Sequence, residues 1–369
     1  MNILLLDPFH SGSHAYWSNH LTQQLNDRGN VNVELRTLQG RHWKWRMLGS
    51  AAAFASTILE ADPLPDAILT TDMMDVAAFR GSLSFKWRSI PVIQYFHENQ
   101  LTYPWNQTDP DSRNGQNRIY GFMNIQSALA ADAVWFNSNH HKQQFLRAVQ
   151  LFLTEMPDHQ LPHAHDNIQT KSTVLPIGIV NDQRKDIVPL AHPPISDPPV
   201  LLWNHRWEYD KAPDRFFQSL TELKQQNFDF RLILLGQQFD RMPSAWEAIQ
   251  STFHAEILHS GWTNSQNEYW SLLRQSDLLL HDPRQEYFGI SVMEAMRCGV
   301  IPLVSAGHAY DDWMAPKFIR RDNIPLLDQM TELITHQIEN QKLAIETTEG
   351  YDWRDVSILY ESQFLTLKR

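Results

Sequence analysis

The chain has 369 residues, 42% of them hydrophobic and 20% charged, which is typical of globular proteins and excludes a largely disordered chain. With 31 Lys and Arg against 42 Asp and Glu, the net charge is −11, which excludes attachment to nucleic acid through overall charge but not through a local basic patch. The single cysteine, Cys298, excludes an intramolecular disulfide framework and a multi-cysteine zinc site, and it favours a reducing, cytoplasmic location.

Length and hydropathy set two further expectations. At about 100–200 residues per domain, the length predicts two domains. The N-terminus lacks the basic start and long apolar core of a signal peptide, and no run of about 18 apolar residues occurs, so we expect no transmembrane helix.

The first half of the chain alternates strands and helices, a pattern that indicates a doubly wound α/β domain. Strands are predicted over residues 2–6, 31–35, 67–70, 91–95, 133–136 and 174–179, and helices over residues 15–28, 119–131 and 139–152. After Pro157 the pattern fades into a polar segment with His159, His163 and His165. Their spacing is irregular, so we predict an exposed loop there and no metal site.

A proline cluster separates this half from a second alternation. Residues 189–199 contain five prolines and are predicted to be an interdomain linker. Beyond it, strands are predicted over residues 199–203, 230–235, 254–258, 278–281 and 301–304, and helices over residues 213–226, 244–252, 266–276, 289–298 and 353–367. We therefore predict domains at 1–188 and 200–352, joined by a linker at 189–199, with 353–369 crossing back to the first domain. Two facing Rossmann-like domains would bind ligands in the cleft at the carboxyl ends of their strands.

The segment after the predicted strand 278–281 is the most informative one. Glu286 lies in a polar turn, Phe288 and Gly289 lead into a helix that opens with Ile290, and Glu294 lies inside that helix. A helix N-terminus suits a phosphate, and glycine allows a ligand to approach the backbone. Two glutamates alone could simply be solvated charges, but the strand, Phe-Gly and helix around them resemble the E-x7-E motif of retaining family 4 glycosyltransferases with the GT-B fold. That resemblance implies that Glu286 holds the transferred sugar and Glu294 the nucleotide ribose.

Two cations follow the first strand of the second half. Arg206 and Lys211 are five residues apart, the spacing at which family 4 enzymes place the pair that clamps the donor diphosphate. Fixed cations would stabilise the charge that develops on the leaving diphosphate. With these cations available, we expect no metal or other cofactor.

Polar side chains also follow two strands of the first half. The small residues Gly12 and Ser13 form a turn that could approach the donor, although the dinucleotide fingerprint is absent. His97 follows the predicted strand 91–95, where related enzymes carry a histidine against the sugar. Glu98 and Asn99, directly after it, are predicted to face the acceptor.

Cations and indoles alternate between residues 41 and 46, and no acidic residue occurs from 35 to 59. Cations that bind phosphates and aromatic rings that stack on unpaired bases are the elements of RNA binding. A loop in which the tryptophans pack and the arginines are solvated would have the same sequence pattern. The predicted RNA-binding residues of this stretch are Arg41, Trp43, Lys44, Trp45 and Arg46. Residues 86–88, Lys-Trp-Arg, repeat the pattern.

The motifs SGSH, RHWKWR, YFHENQLTYP and NHRWEYDKAP together resemble the tRNA-queuosine α-mannosyltransferases over essentially the whole chain. That family transfers mannose from GDP-mannose to the cyclopentenediol of queuosine in the anticodon of tRNA-Asp. The resemblance implies a nucleotide sugar and tRNA as partners, and no obligatory protein partner is evident. The donor positions that it carries over are Gly12, His97, Arg206, Lys211, Glu286 and Glu294.

Two alternatives stay open from the sequence. One is a family 4 enzyme that uses another nucleotide sugar or a glycan or lipid acceptor. The other is a non-catalytic RNA-binding protein on a glycosyltransferase scaffold, which the presence of both glutamates and both cations disfavours.

Overall fold

A computed structural model of the chain describes residues 1–106, 108–180, 195–236 and 242–367. It divides into two compact units, one formed by Met1–Gly178 with Trp353–Arg369 and the other by Ile179–Asp352. The predicted domain boundary at 188 and most of the predicted linker, residues 189–194, lie outside the described residues.

The first unit is built on a six-stranded parallel sheet in the order β2-β1-β3-β4-β5-β6. Its central strands are buried on both faces, which explains their almost continuous apolar sequence. The strands are β1 Asn2–His10, β2 Asn32–Gln39, β3 Ala67–Thr71, β4 Val92–Phe96, β5 Ala133–Phe136 and β6 Ser172–Val174. The helices are α1 Gly12–Arg28, α2 Trp43–Ala55, α3 Val76–Ser82, α4 Phe85–Arg88, α5 Pro110–Arg113, α6 Asn117–Ala130, α7 Asn139–Thr154 and α8 Ala164–Thr170.

The second unit is built on a five-stranded parallel sheet in the order β11-β10-β7-β8-β9. Its strands are β7 Val200–Asn204, β8 Arg231–Leu235, β9 Ile257–Ser260, β10 Leu278–His281 and β11 Ile301–Val304. Its helices are α9 Pro213–Gln225, α10 Ser244–Thr252, α11 Gln266–Arg274, α12 Ile290–Arg297, α13 Tyr310–Trp313, α14 Leu326–Thr335 and α15 Gln337–Thr347.

The last helix, α16 Trp353–Thr366, packs within the first unit. Its Tyr360 is fully buried, accepts a hydrogen bond from the indole N–H of Trp17 at 3.0 Å and donates to the carbonyl of Pro176 at 3.1 Å. Arg28 of α1 pairs with Glu361 at 2.6 Å. These contacts hold α16 against α1 and the segment that follows β6.

Several elements differ from the sequence predictions. β1 continues to His10, four residues beyond the predicted end, and α1 begins at Gly12, three residues before the predicted start, so Gly12 and Ser13 lie in the helix and not in a turn. α8 was predicted as loop, but Ala164 and Ile168, one turn apart, bury their side chains in the core. The segments with helices α2, α14 and α15 had no predicted element, and β6 ends at Val174, where a strand was predicted to begin.

Each sheet has one position where successive connections leave in opposite directions. In the first unit it lies between β1 and β3, and in the second between β7 and β10. In doubly wound sheets ligands bind beyond the carboxyl ends of the strands at such a position. The loops after these strands are therefore the places to look for a site in each unit.

Candidate functional site

The predicted phosphate-binding cations lie on the segment that follows β7. Arg206 has a 47% exposed side chain, and its Nη1 is 2.9 Å from Oε2 of Glu208. Lys211 ends a short 3₁₀ turn, Tyr209–Lys211, and its side chain is only 15% exposed. The two cations thus differ, one being accessible and the other largely enclosed.

Lys211 is paired with Glu286, the carboxylate predicted to hold the sugar. Its Nζ lies 2.8 Å from Oε2 of Glu286 and 3.3 Å from Oδ2 of Asp210. Burial lowers the pKa of Lys211, but the two carboxylates outweigh burial and raise it, with the charge of Arg206 opposing the rise. An ammonium has three N–H donors. Two donors of Lys211 face the carboxylates of Glu286 and Asp210, so, counting the described residues, one donor is left for a ligand.

The same contact keeps Glu286 ionised. Burial raises the pKa of Glu286, but the charge of Lys211 outweighs burial and, with the neighbouring His281, holds that pKa well below its ordinary range. The Nε2 atom of His281 is 3.8 Å from Oε2 of Glu286, too far for a hydrogen bond. A buried carboxylate fixed in this way is a preorganised acceptor for a sugar hydroxyl.

Gly289 sets the start of α12 after the loop that carries Glu286. Its φ of 97° lies in the left-handed region, which favours glycine, and a Cβ there would come within 2.7 Å of the Tyr310 ring. Trp313 donates its indole N–H to the carbonyl of Phe288 at 3.1 Å. The predicted donor residues Phe288, Gly289 and Ile290 therefore form a tightly packed helix entry with no acidic residue in the first turn of α12.

Glu294, the second glutamate of the motif, accepts a 2.6 Å hydrogen bond from the hydroxyl of Tyr269. That hydroxyl in turn accepts one from Asn204 at 2.9 Å. Burial raises the pKa of Glu294 to about 7, although the Tyr269 bond opposes the shift. Glu294 is therefore close to half-ionised at neutral pH.

The sequence analysis did not single out the side chains that connect the two glutamates. Asn204 also donates to the carbonyl of Ser291 at 3.1 Å, and the hydroxyl of Ser291 lies 2.9 Å from Nδ1 of His205. The rings of His205 and His281 stack with centroids 3.5 Å apart, beside Glu286. Asn204 and His281 are the polar last residues of otherwise apolar strands, and that position was the available signal.

In the first unit, His97 follows β4 and is 6% exposed. Its backbone N–H donates to Oδ1 of Asp72 at 2.8 Å, and its ring lies 4.2 Å from that of His14 and 4.8 Å from that of Trp17, centroid to centroid. Neither ring nitrogen has a hydrogen-bond partner among the described residues. Burial, helped by His14 and His141, lowers the pKa of His97 well below its ordinary value, so the ring is neutral.

Asp72 was missed by the sequence analysis, although it directly follows β3 at the carboxyl end of the sheet. Burial and then the nearby charge of Glu98 raise the pKa of Asp72 well above its ordinary value. Gly12, with a φ of 50°, and Ser13 open α1 beside β1. Thus residues after β1, β3 and β4 share the carboxyl edge of one sheet.

The two predicted acceptor residues after His97 differ in their surroundings. Glu98 is half-buried, and its Oε1 accepts from the amide of Gln100 at 3.2 Å. Asn99 is fully buried, and its Oδ1 accepts the backbone N–H groups of Leu101 and Thr102 at 3.1 and 3.0 Å. Asn99 therefore stabilises a turn through its side chain, a local role that the sequence prediction did not include.

The basic stretch predicted to bind RNA divides into two kinds of residue. Trp43 packs against Trp105 and Tyr120 with ring centroids 5.4 and 5.3 Å away. Lys44 pairs with Asp109 and Asp111, each at 2.7 Å, so its charge is neutralised. By contrast, Arg41 and Trp45 are exposed, and Arg46 is half-buried.

The second cation–aromatic pattern, residues 86–88, does not present a ring to solvent. Trp87 is 2% exposed and packs in the core, while Arg88 donates to the carbonyl oxygens of Leu83 and Gly81 at 2.6 and 2.9 Å. Residues 86–88 therefore resemble an RNA-binding pattern only in sequence, because Trp87 and Arg88 of α4 make contacts within the fold.

Neither a metal site nor a membrane-spanning helix occurs in the described ranges. No group of three or more His, Cys, Asp or Glu side chains there is placed to hold a metal ion. None of the helices in those ranges is both long and apolar enough to cross a membrane. His165, in the predicted polar loop, pairs with Asp166 at 2.8 Å.

Two family models and several known proteins match this chain. Residues 2–179 match the family described as tRNA-queuosine alpha-mannosyltransferase N-terminal, and residues 188–321 match the family described as glycosyl transferases group 1. The tRNA-queuosine alpha-mannosyltransferase of Drosophila melanogaster is 31% identical over 307 residues, covering 82% of this chain and 78% of that protein. A GDP-mannose:cellobiosyl-diphosphopolyprenol alpha-mannosyltransferase of Xanthomonas oryzae pv. oryzae (strain PXO99A) is 25% identical over 183 residues, covering 45% of this chain and 46% of that protein.

Solved structures of low sequence identity share the fold. Sucrose-phosphate synthase from Thermosynechococcus elongatus has a TM-score of 0.70 at 13% identity and covers 100% of this chain and 99% of its own. The lipopolysaccharide outer core galactosyltransferase WaaB has a TM-score of 0.61 at 13% identity, with both chains covered completely.

The two doubly wound units and the solved structures of the same fold confirm the predicted GT-B fold class. The match to the glycosyl transferases group 1 family shows that the chain is a glycosyltransferase. The chain is accordingly an enzyme of the hexosyltransferase class. It belongs to the tRNA-queuosine alpha-mannosyltransferase family, as the sequence motifs predicted.

Proposed function

We propose that this enzyme transfers mannose from GDP-mannose to queuosine in the anticodon of tRNA-Asp, with retention of the anomeric configuration. Family membership supports the tRNA acceptor, and the Xanthomonas relative, whose name contains GDP-mannose, supports the donor. The observation that carries the proposal is the 2.8 Å contact between Lys211 and Glu286 beside the entry of α12. This contact supports a site in which a cation that binds the diphosphate lies against a carboxylate that binds the sugar.

In this proposal the chain's residues divide the work of donor binding. Arg206 and the remaining N–H of Lys211 hold the diphosphate, together with the helix entry at Gly289. Glu286 accepts a hydroxyl of the mannose and Glu294 a hydroxyl of the ribose, while His97 of the first unit remains the predicted contact to the sugar.

The proposed transfer step needs no basic side chain of the enzyme to accept the proton. A queuosine hydroxyl attacks the anomeric carbon from the face that the diphosphate leaves, the anomeric C–O bond breaks and a new one forms. The departing phosphate oxygen takes the hydroxyl proton, so GDP leaves protonated at that oxygen. Positive charge held beside that oxygen lowers the barrier. The predicted independence from metal and the cytoplasmic location stay predictions.

The test is Arg206→Ala, assayed with GDP-mannose and queuosine-containing tRNA. Loss of a preorganised charge donor is expected to lower kcat by about 10²–10³-fold. Arg215→Ala is the matched control, because Arg215 on α9 of the same unit is a similarly exposed arginine that also pairs with a carboxylate, Asp282 at 3.0 Å, but has no proposed role in donor binding. Equal turnover by the two variants would contradict the proposed role of Arg206 in holding the diphosphate.

A thermal-shift panel of GDP, UDP and ADP sugars separates this donor from the alternatives. A ligand present at a hundredfold excess over its Kd stabilises by about 2.7 kcal/mol. A response to UDP-sugars alone, or transfer to a glycan or lipid acceptor without RNA, would support another group 1 enzyme instead.

A further inference from the structure

An indole projects from the first turn of α2. Trp45 is 62% exposed, whereas Trp17, Trp87 and Trp135 of the same unit are buried in the core. An exposed tryptophan leaves a large apolar surface in water, so its position calls for an explanation.

Gly49 provides the seat for this ring. A Cβ at Gly49 would lie 2.9 Å from Cζ2 and 3.0 Å from Cε2 of Trp45, one helical turn earlier. The ring therefore lies against the helix backbone at Gly49, and a Cβ there would displace the ring. Glycine inside a helix is less favourable than alanine, so Gly49 lowers the stability of α2. The absence of a Cβ there lets the Trp45 ring lie against the helix while it stays exposed.

Two arginines within four residues of Trp45 carry positive charge that no carboxylate of the described residues neutralises. Arg41 has no carboxylate partner among the described residues, and neither has Arg46, whose Nε donates to the carbonyl of Gln39 at 3.1 Å. No acidic residue occurs between positions 35 and 59. Lys44, on the same turn, is the contrast, because two aspartates neutralise it.

The turn that carries these residues lies beside the small-residue turn after β1. Gln39 at the end of β2 is in register with His10 at the end of β1. A Cβ at Gly40 would overlap the Cβ of Ser11, so the two turns pack backbone against backbone. Gly40 and the adjacent Arg41 thus lie at the carboxyl edge of the sheet beside Ser11, and α2, which carries Trp45 and Arg46, begins three residues after Gly40.

We propose that Arg41, Trp45, Arg46 and Gly49 form an indole platform on which an unpaired base of the acceptor RNA stacks, with the two guanidinium groups on its phosphates. Aromatic rings recognise any unstacked base, and cations bind the backbone that joins successive bases. The inference rests on the proposed tRNA acceptor. It also revises the sequence prediction, because Trp43 and Lys44 of the same stretch do not belong to the platform.

The first measurement is the Kd of queuosine-containing tRNA for the full-length enzyme and its variants at fixed salt. Trp45→Ala is expected to raise that Kd by about 5- to 150-fold, the range for loss of one base–aromatic stack. Trp45→Phe, which keeps a ring, is expected to restore most of the affinity. GDP-mannose binding, followed by thermal shift, should be unchanged in both variants.

Two matched controls separate RNA from a protein partner. Leu48 is 52% exposed on the same helix, and Phe85 is 90% exposed elsewhere on the unit. Leu48→Ala and Phe85→Ala should leave the Kd for tRNA unchanged. If Leu48→Ala weakens tRNA binding as much as Trp45→Ala, or if Trp45→Ala abolishes only self-association or protein binding, the platform proposal is overturned.

Gly49→Ala tests the seat of the ring without an unfavourable helix change. Alanine favours the helix, so the melting temperature should stay equal or rise, while the new Cβ displaces the ring and the Kd for tRNA rises. Unchanged tRNA affinity in both Gly49→Ala and Trp45→Ala overturns the platform alone, provided that the wild type mannosylates the tRNA. Absence of transfer and tRNA binding by the wild type overturns the proposed function as well.

Discussion

Lys211 shows how one side chain can serve both stability and ligand binding. Its ammonium lies between Glu286 and Asp210, in a setting where its side chain is 15% exposed and that of Glu286 is 11% exposed. Removing one member of such a pair leaves the other as an uncompensated buried charge, whereas removing both does not. Stability and activity should therefore respond differently to single and double changes.

The first prediction is a double-mutant cycle at this pair. Lys211→Met is expected to lower the free energy of unfolding by about 3–5 kcal/mol, because Glu286 is left buried and unpaired. Adding Glu286→Gln should recover part of that stability, since Asp210 still lacks its cation, but none of the transferase activity. Urea unfolding and steady-state kinetics measure the two quantities. A double variant as unstable as Lys211→Met would contradict the pairing.

The second prediction concerns pH and Glu294. The unfolded carboxyl loses its proton near its ordinary pKa of 4.5, whereas burial keeps the folded group protonated up to a pKa of about 7. Between these values the folded state binds more protons, so stability falls as pH rises, by at most about 3 kcal/mol in total. Glu294→Gln should lose this slope between pH 4.5 and 7 in urea unfolding. If the variant's stability depends on pH as steeply as that of the wild type, the raised pKa does not belong to Glu294.

At the scale of elements, the entry to α12 depends on one glycine for two separate reasons. Gly289 combines a φ of 97° with contact to the Tyr310 ring. Gly307 in the same unit has a φ of 84° but open space around its Cα. The two positions thus separate backbone strain from side-chain overlap.

The third prediction compares alanine at these positions. Gly307→Ala is expected to cost about 1–2 kcal/mol, the penalty for a left-handed residue with a Cβ. Gly289→Ala should cost more, since the Cβ also displaces Tyr310, and it should raise the KM for GDP-mannose. Thermal unfolding and donor kinetics check both effects. Equal losses of stability in the two variants would show that the Tyr310 contact is unimportant.

At the scale of the whole molecule, a net charge of −11 has to be reconciled with an RNA substrate. Like charges repel a polyanion at long range, so affinity has to come from a few local cations. Arg41 and Arg46 are the candidates on the first unit, because Lys44 is neutralised.

The fourth prediction is a weak, local salt dependence of tRNA binding. Each phosphate contact contributes about 0.7–0.9 to the slope of log K against log salt, so Arg41→Ala should reduce that slope by about this amount. Arg36→Ala is the control, since Arg36 on neighbouring β2 pairs with Glu34 at 2.6 Å. An equal reduction in both variants would mean that the effect is one of net charge and not of a contact.

The sequence alone determined the fold class and the family. β11 was predicted over 301–304 and is found at Ile301–Val304, and β3 was predicted to within one residue. The ends of such apolar strands are indicated by residues only a few positions away in the sequence. The motif around Glu286, Gly289 and Glu294 likewise lies within one short segment. Local patterns of this kind need no knowledge of the rest of the fold.

Only the tertiary structure decided which side chains work together. Lys211 and Glu286 meet across 75 residues of sequence, and Lys44 meets Asp109 across 65. The strand order places those segments side by side, and nothing within either segment specifies the neighbour. For that reason the sequence predicted Trp43, Lys44 and Trp45 as one group, whereas the structure packs Trp43 against two aromatic rings, neutralises Lys44 and leaves Trp45 exposed.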